Sequence, residues 1–149
     1  MVQSGATGLF ASQSLAAHQK SVIESIFSAV GYACWVDQES LIDAVTAVSG
    51  SGPAYFFLIY EAMLKVAQEM GLDSQTSSQL TLHTALGAAR LALASDQTPE
   101  QLRKQVTSSG GTTQAAIESF QEQDLEAIFR TAMNSALERA KEMSDDFAG

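Results

Sequence analysis

The stretch from Pro53 to Met70 constrains this chain most. It reads PAYFFLIYEAMLKVAQEM, and its only charges are Glu61, Lys65 and Glu69. As a helix it is apolar nearly all round, so most of its sides must be covered. A chain of 149 residues has room for one ordinary core. A helix of this kind in so short a chain points to burial between subunits or between domains. Only Pro53 and Pro99 interrupt the sequence with proline, which leaves long stretches free to be helical.

Helical spacing dominates from Ser40 onward. Asp37 to Ser40 supply polar capping residues before Leu41, Ile42, Ala44, Val45 and Val48. Gly50 and Gly52 break that first helix, and Pro53 stands where a first helical residue belongs, with Ser51 or Gly52 as its cap. Gly71 ends the apolar helix, and Asp73 or Ser74 caps the next one, which runs through Leu80, Leu86 and Leu93. Its Gly87, Ala88 and Ala89 are small enough for close helix approach. Thr98, Pro99, Glu100 and Gln101 form a capping box with proline at the first helical position, opening a short helix to about Val106. Ala115 to Phe120 reads as another short helix. The last begins near Asp124, carries an apolar stripe from Leu125 to Met143, and frays at Asp145, Asp146 and Gly149.

The first 37 residues have a different texture. Gly5 to Ser12 reads as a strand, Leu15 to Val30 as a helix stopped by Gly31, and Tyr32 to Val36 as a buried strand. A strand-helix-strand piece this small cannot cover both faces of its strands. It is expected to be the cut tail of a preceding domain. The expected organisation is therefore 1–37 as the remnant of an α/β domain and 38–149 as a helical domain.

Several classes of function fall away on composition and motif. With eight Lys and Arg against 17 Asp and Glu, the net charge is −9, which excludes a nucleic-acid partner because phosphate contacts need clustered cations. No apolar run approaches membrane-span length, so no membrane partner is expected. No secretory signal is visible, and the lone Cys34 sits between Ala33 and Trp35; a cytoplasmic, reduced setting is expected. His18 and His83 lie far apart with no carboxylate motif, so no metal site is expected. A G-x-S-x-G elbow is missing, the SGSGP segment lacks the lysine of a P-loop, and GATG at Gly5 to Gly8 does not match G-x-G-x-x-G.

Two loops of small residues remain, each opening a helix: SGSGPAY from Ser49 to Tyr55 and VTSSGGTTQ from Val106 to Gln114. Gly110 and Gly111 allow torsions that other residues avoid. Thr112 or Thr113 can cap the following helix, whose start adds partial positive charge. Backbone N–H groups with the hydroxyls of Ser108, Thr112 and Thr113 form a receptor suited to a small carboxylate. Asp96, just before the capping box, can face the same cleft. A plain glycine turn with a threonine cap is the simpler reading of the same residues.

DAVTAVSGSGPAYFF (Asp43 to Phe57) and QLRKQVTSSGGTTQAAI (Gln101 to Ile117), with LGAARLAL between them, resemble the C-terminal domain of pyrroline-5-carboxylate reductases. QSGATGLFAS, Gln3 to Ser12, is similar to the end of that family's Rossmann domain. The resemblance covers essentially the whole chain. It implies a mainly α fold, a helical-bundle dimerisation domain like the C-terminal domain of 6-phosphogluconate dehydrogenase, after a short Rossmann remnant. It implies reduction of pyrroline-5-carboxylate to proline with NADPH or NADH, the cofactor being held by a Rossmann domain and none by this segment. It implies a homodimer of interleaved helices, able to assemble further, with the active site between one subunit's cofactor domain and its partner's helices. The family's substrate loop falls on Ser108, Gly110, Gly111, Thr112 and Thr113, with Thr113 also near the ring nitrogen as the catalytic candidate. Asp96 stands where the family carries an acidic residue, and Ser109 where it carries proline. Without a cofactor fingerprint this segment is expected to be inactive alone. Two other readings stay open: a non-catalytic helical interaction module, and a related two-domain dehydrogenase acting on a hydroxy acid. The lack of a clearly matched lysine in Pro53 to Met70 weighs against the latter, although Lys65 lies in that helix.

Overall fold

A computed structural model describes residues 3–148. The chain forms two compact units, one comprising Met1–Ala54 and Phe129–Gly149, the other Tyr55–Ile128.

In the first unit, strand β1 (Gly5–Leu9), helix α1 (Ala17–Ser28) and strand β2 (Gly31–Trp35) follow the expected order. The strands pair in parallel, with Gly5 opposite Gly31 and Leu9 opposite Trp35. Gly31 has φ +155°, and a Cβ there would overlap the backbone of Gly5, so the register depends on a glycine at this position. Helix α1 starts at Ala16, whose N–H donates to Gln19 Oε1 at 2.9 Å. This is half of a capping box, since alanine has no acceptor to return. Helix α2 (Leu41–Val45) packs onto the sheet: a Cβ on Gly8 would meet Val45 Cγ2 at 2.7 Å. The polar residues before α2 act through their backbone, Leu41 N–H donating to the Gln38 carbonyl and Ile42 N–H to that of Glu39, with no side-chain cap. Leu9 and Ala47 are the buried apolar residues of this small core. Ser144, on helix α7 (Leu125–Ala148), donates to Asp43 Oδ1 at 3.1 Å and ties that helix to α2.

The glycines of SGSGP do not break the helix. After α2 a π-helical turn spans Thr46–Gly50, and α3 (Gly52–Glu69) follows after Ser51, itself in helical torsions. Ser51 N–H donates five residues back to the Thr46 carbonyl at 2.9 Å. The extra residue of the π turn falls where Pro53 brings no N–H for the Ser49 carbonyl four residues earlier. Thr46 and Ser49 hydroxyls donate to the carbonyls of Ile42 and Val45. The outcome is one helical run, Leu41–Glu69, of 29 residues, long and apolar enough by length and composition to cross a bilayer, contrary to the expectation from sequence. Length and composition are weak evidence for a span, because a helix that packs against protein on most sides passes the same test.

The second unit holds most of α3 together with α4 (Ser74–Leu93), α5 (Pro99–Gln105), α6 (Thr112–Glu122) and the start of α7. Asp73 caps α4, accepting from the Thr76 N–H at 2.9 Å. The capping box at α5 forms in both directions: Thr98 N–H donates to Gln101 Oε1 at 2.8 Å and Gln101 N–H to Thr98 Oγ1 at 3.3 Å. Helix α6 is longer than Ala115 to Phe120. Helix α7 carries through Asp145 and Asp146 where fraying was expected; Gly149 lies outside the described residues. The first turn of α7 is set by Asp124, at φ +50°, whose Oδ1 accepts from the Ala127 N–H.

The fully buried side chain of this unit is polar, Ser77 on α4, with Thr81 one turn on. Its large apolar residues are open: Phe56, Phe57 and Leu58 on α3 are 58%, 61% and 67% exposed, and Leu93 on α4 is 88% exposed. Phe56, Ile59, Tyr60 and Met63 face Ala85, Ala88 and Ala89 across a groove of 580 Å³, so the small residues of α4 border a groove. Nothing lies within 4 Å of a Cβ on Gly87.

Candidate functional site

The loop between α5 and α6 is shaped by its own hydrogen bonds. Helix α5 ends at Val106, and the Thr107 hydroxyl donates back to the Arg103 carbonyl at 2.6 Å. Gly111 N–H donates to the Ser108 carbonyl at 3.1 Å, closing a turn in which Gly110 has φ +71°. That torsion is costly for any residue with a side chain. Gly110 N–H donates to Gln114 Oε1 at 2.8 Å, and Gln114 Nε2 in turn donates to Glu118 Oε1. A Cβ on Gly111 would run into the Ser108 hydroxyl. Gly110 is thus required by torsion, while at Gly111 a side chain would displace the Ser108 hydroxyl.

Gly111, in extended torsions, is the N-cap of α6, and no side chain caps the helix. Thr112 and Thr113 therefore sit in the first turn, where a capping role was expected of one of them. The difference matters chemically. A threonine cap would have used its hydroxyl on the helix's own N–H groups. Here the N–H groups of Thr112, Thr113 and Gln114 have no hydrogen-bond partner among the described residues. The same holds for the hydroxyls of Ser108, Thr112 and Thr113. Thr113 is half-buried; Ser108 and Thr112 are exposed. Free donors at the start of an 11-residue helix give a positively polarised surface suited to an oxyanion.

The site is open on this chain. A cavity of 170 Å³ lies between α5 and α6, lined by Arg103, Lys104, Thr107 and Gln114, behind the turn. Lys104 pairs with Glu100 at 2.6 Å on the surface, and that ammonium holds the Glu100 carboxyl below its usual range. Asp96 is exposed in the bend between α4 and α5 and forms no hydrogen bond or ion pair among the described residues. The structure thus brings together Ser108, Gly110, Gly111, Thr112 and Thr113 but records no contact between Asp96 and them. Sequence reasoning missed Gln114. Its side chain accepts from the Gly110 N–H, one residue before the Gly111 N-cap, so the capping-box pattern, which ties the N-cap N–H to the third helical residue, did not announce it.

No cluster of three or more His, Cys, Asp or Glu side chains converges among the described residues. The residues following β1, Phe10 to Leu15, contain no glycine, unlike the glycine-rich turn of a dinucleotide fingerprint.

Residues 39–143 match the family model described as pyrroline-5-carboxylate reductase dimerisation. The chain is 50% identical over 145 residues to pyrroline-5-carboxylate reductase of Pseudomonas aeruginosa, covering 97% of this chain and 53% of that protein. Among solved structures, the pyrroline-5-carboxylate reductase of Coxiella burnetii superposes with a TM-score of 0.92 at 48% identity, covering 95% of this chain and 52% of that one. The Plasmodium falciparum pyrroline carboxylate reductase, solved with NADP bound, superposes at 0.79 with 28% identity, over 91% of this chain and 52% of that one. The chain spans about half the length of these relatives. By the family match, the identity and the superposed helices together, it belongs to the pyrroline-5-carboxylate reductase family.

Proposed function

We propose that this chain is the dimerisation and substrate-binding part of a cytoplasmic pyrroline-5-carboxylate reductase, with residues 1–37 closing the cofactor domain and 38–149 forming the helical domain. The supporting observation is the turn before α6, where Gly110 and Gly111 leave three helix N–H groups and three hydroxyls unpartnered. In the enzyme this turn seats the substrate carboxylate. Thr112 and Thr113 donate to it, and Thr113, half-buried, also lies near the imine nitrogen. Asp96 is assigned to the same substrate site because the family carries an acidic residue there. The segment's contribution is orientation: a carboxylate held at two or more points fixes the face of the ring presented for reduction.

NADPH or NADH supplies the reducing equivalent in this family reading, held by residues outside this segment. The exposed face of α3 is assigned to a second copy of the chain, interleaved as a homodimer that can assemble further. That assignment also accounts for the apolar character of the Leu41–Glu69 run without a bilayer.

Thr113→Ala in the enzyme carrying this segment tests the reading. Loss of a hydroxyl that donates to a carboxylate costs about 1.5–3 kcal/mol, a fall in kcat/KM of roughly 10- to 100-fold. An unchanged kcat/KM removes Thr113 from the site.

A further inference from the structure

Two of the N–H groups in the turn before α6 are spent within the chain. Gly111 N–H goes to the Ser108 carbonyl, and Gly110 N–H goes to Gln114 Oε1 at 2.8 Å. The second bond is the unusual one, because its acceptor is itself held. Gln114 Nε2 donates to Glu118 Oε1 at 2.6 Å, one helical turn further on. Glu118 forms no ion pair among the described residues, so its carboxylate serves this amide.

A glutamine amide has a donor end and an acceptor end, and a carboxylate only accepts. Glu118 therefore decides which way the Gln114 amide faces. Reversed, the amide would set its NH2 against the Gly110 N–H and its oxygen against a carboxylate. A bond to a charged acceptor is the stronger kind, and it polarises the amide oxygen that Gly110 meets. The tether falls on the residue that needs it most. Gly110 has φ +71° and is followed by Gly111, and glycine loses more freedom on ordering than any other residue. An untethered glycine pair must be ordered at the moment of binding, which weakens affinity.

We propose that Glu118 and Gln114 form a positioning relay that holds the substrate turn in its binding shape before the substrate arrives. Neither side chain touches the substrate. Glu118 orients Gln114, Gln114 holds Gly110, and the N–H groups of Thr112, Thr113 and Gln114 stay aimed at the carboxylate. The relay rests on the reading of this turn as the carboxylate seat.

Steady-state kinetics with pyrroline-5-carboxylate, in the enzyme carrying this segment, test it. Gln114→Ala leaves the backbone N–H in place and removes only the tether. KM is expected to rise about three- to tenfold, the worth of one hydrogen bond, with a smaller change in kcat. Glu118→Ala gives the sharper sign. Removing a negative charge near an anion seat would by Coulomb attraction alone lower KM. Loss of the relay instead raises it, by about threefold. Glu118→Gln loses the charge but keeps an acceptor for Gln114, so KM stays within about twofold of the parent. Because Glu118 works only through Gln114, Glu118→Ala adds nothing to KM in the Gln114→Ala background.

The relay is overturned by an unchanged KM in Gln114→Ala, by a lowered KM in Glu118→Ala, or by an equal rise from Glu118→Ala in both backgrounds. Tm is measured for each variant; a fall in Tm with KM unmoved assigns the pair to helix stability and also overturns it. If Gln114→Ala leaves KM unmoved while Thr113→Ala lowers kcat/KM, the relay falls and the seat stands. If Thr113→Ala changes nothing, the seat falls and takes the relay with it.

Discussion

In the unit built on β1, α1 and β2, a Cβ on Gly8 would meet Val45 at 2.7 Å, and one on Gly31 would overlap Gly5. In the helical unit, a Cβ on Gly71, Gly87 or Gly110 meets nothing within 4 Å. Gly8 and Gly31 are crowded by residues distant in sequence, whereas in the helical unit only Gly111 meets anything, the Ser108 of its own turn. Among the described residues both units leave large apolar side chains open, Val22, Ile26 and Val48 in the first and Phe57 and Leu58 in the second, but the buried apolar side chains, Leu9 and Ala47, belong to the first. The sheet unit holds a small apolar core of its own. The helices carry apolar surfaces that the described residues leave uncovered, and covering them by association would add to their stability.

The strongest way to break that contrast is to charge α3. Phe57→Glu places a carboxylate on a side chain 61% exposed here and covered in the proposed dimer. The expected cost to association is about 3 kcal/mol or more, a hundredfold rise in the dimer dissociation constant. Sedimentation equilibrium reads it. An unaltered assembly state would assign the apolar face of α3 to something other than a second copy.

The opposite side of the comparison is tested at Gly31. Gly31→Ala forces a Cβ against the backbone of Gly5 across the parallel pair, where neither strand can yield without losing register. A loss of about 2–3 kcal/mol is expected in denaturant unfolding followed by Trp35 fluorescence. Unlike the α3 change, this one should not depend on protein concentration. If it does, the sheet unit is also held by association.

The helices were legible in the sequence wherever a signal was local. Thr98, Pro99 and Gln101 announce α5 because the capping box and the proline act within four residues, and the bonds formed as read. Asp73 was named as one of two caps for α4 and is the one used. SGSGP misled, because two glycines and a proline normally end a helix, and only the hydrogen bond from Ser51 to Thr46 shows the chain passing through as a π turn. The residues of the candidate site were legible through family likeness more than through their chemistry. Gly110 and Gly111 fit a plain turn equally well until the structure moved the cap from threonine to Gly111 and left the donors free. Gly87 shows the same limit: its small size reads as close packing, but no described residue lies within 4 Å of a Cβ there.

A smaller effect separates cap from assembly. Thr98→Ala removes the acceptor for the Gln101 N–H on an exposed turn and should cost about 1 kcal/mol, read by thermal unfolding. Because α5 is not part of the α3 face, the dimer dissociation constant should stay within about twofold, a shift of under 0.5 kcal/mol. A larger shift would place α5 in the subunit contact and enlarge the interface beyond α3.

The smallest expected effect is pH-dependent and belongs to α4. The Thr76 hydroxyl and N–H both donate to Asp73, and these bonds lower its carboxyl below the usual value. A carboxyl whose folded pKa is depressed contributes stability above its unfolded pKa and loses that contribution as pH falls through the folded value. The start of α4 should therefore hold at neutral pH and loosen below about pH 4, the region of the unfolded carboxylate. Amide hydrogen exchange at Thr76 and Ser77, compared between pH 6 and pH 3 after correction for intrinsic rates, reads it. Asp73→Asn keeps an acceptor for the cap but cannot titrate, so it should flatten the pH response while leaving the helix in place. If the variant follows the same acid profile, the loosening comes from other carboxylates, and the cap of α4 does not set its stability in acid.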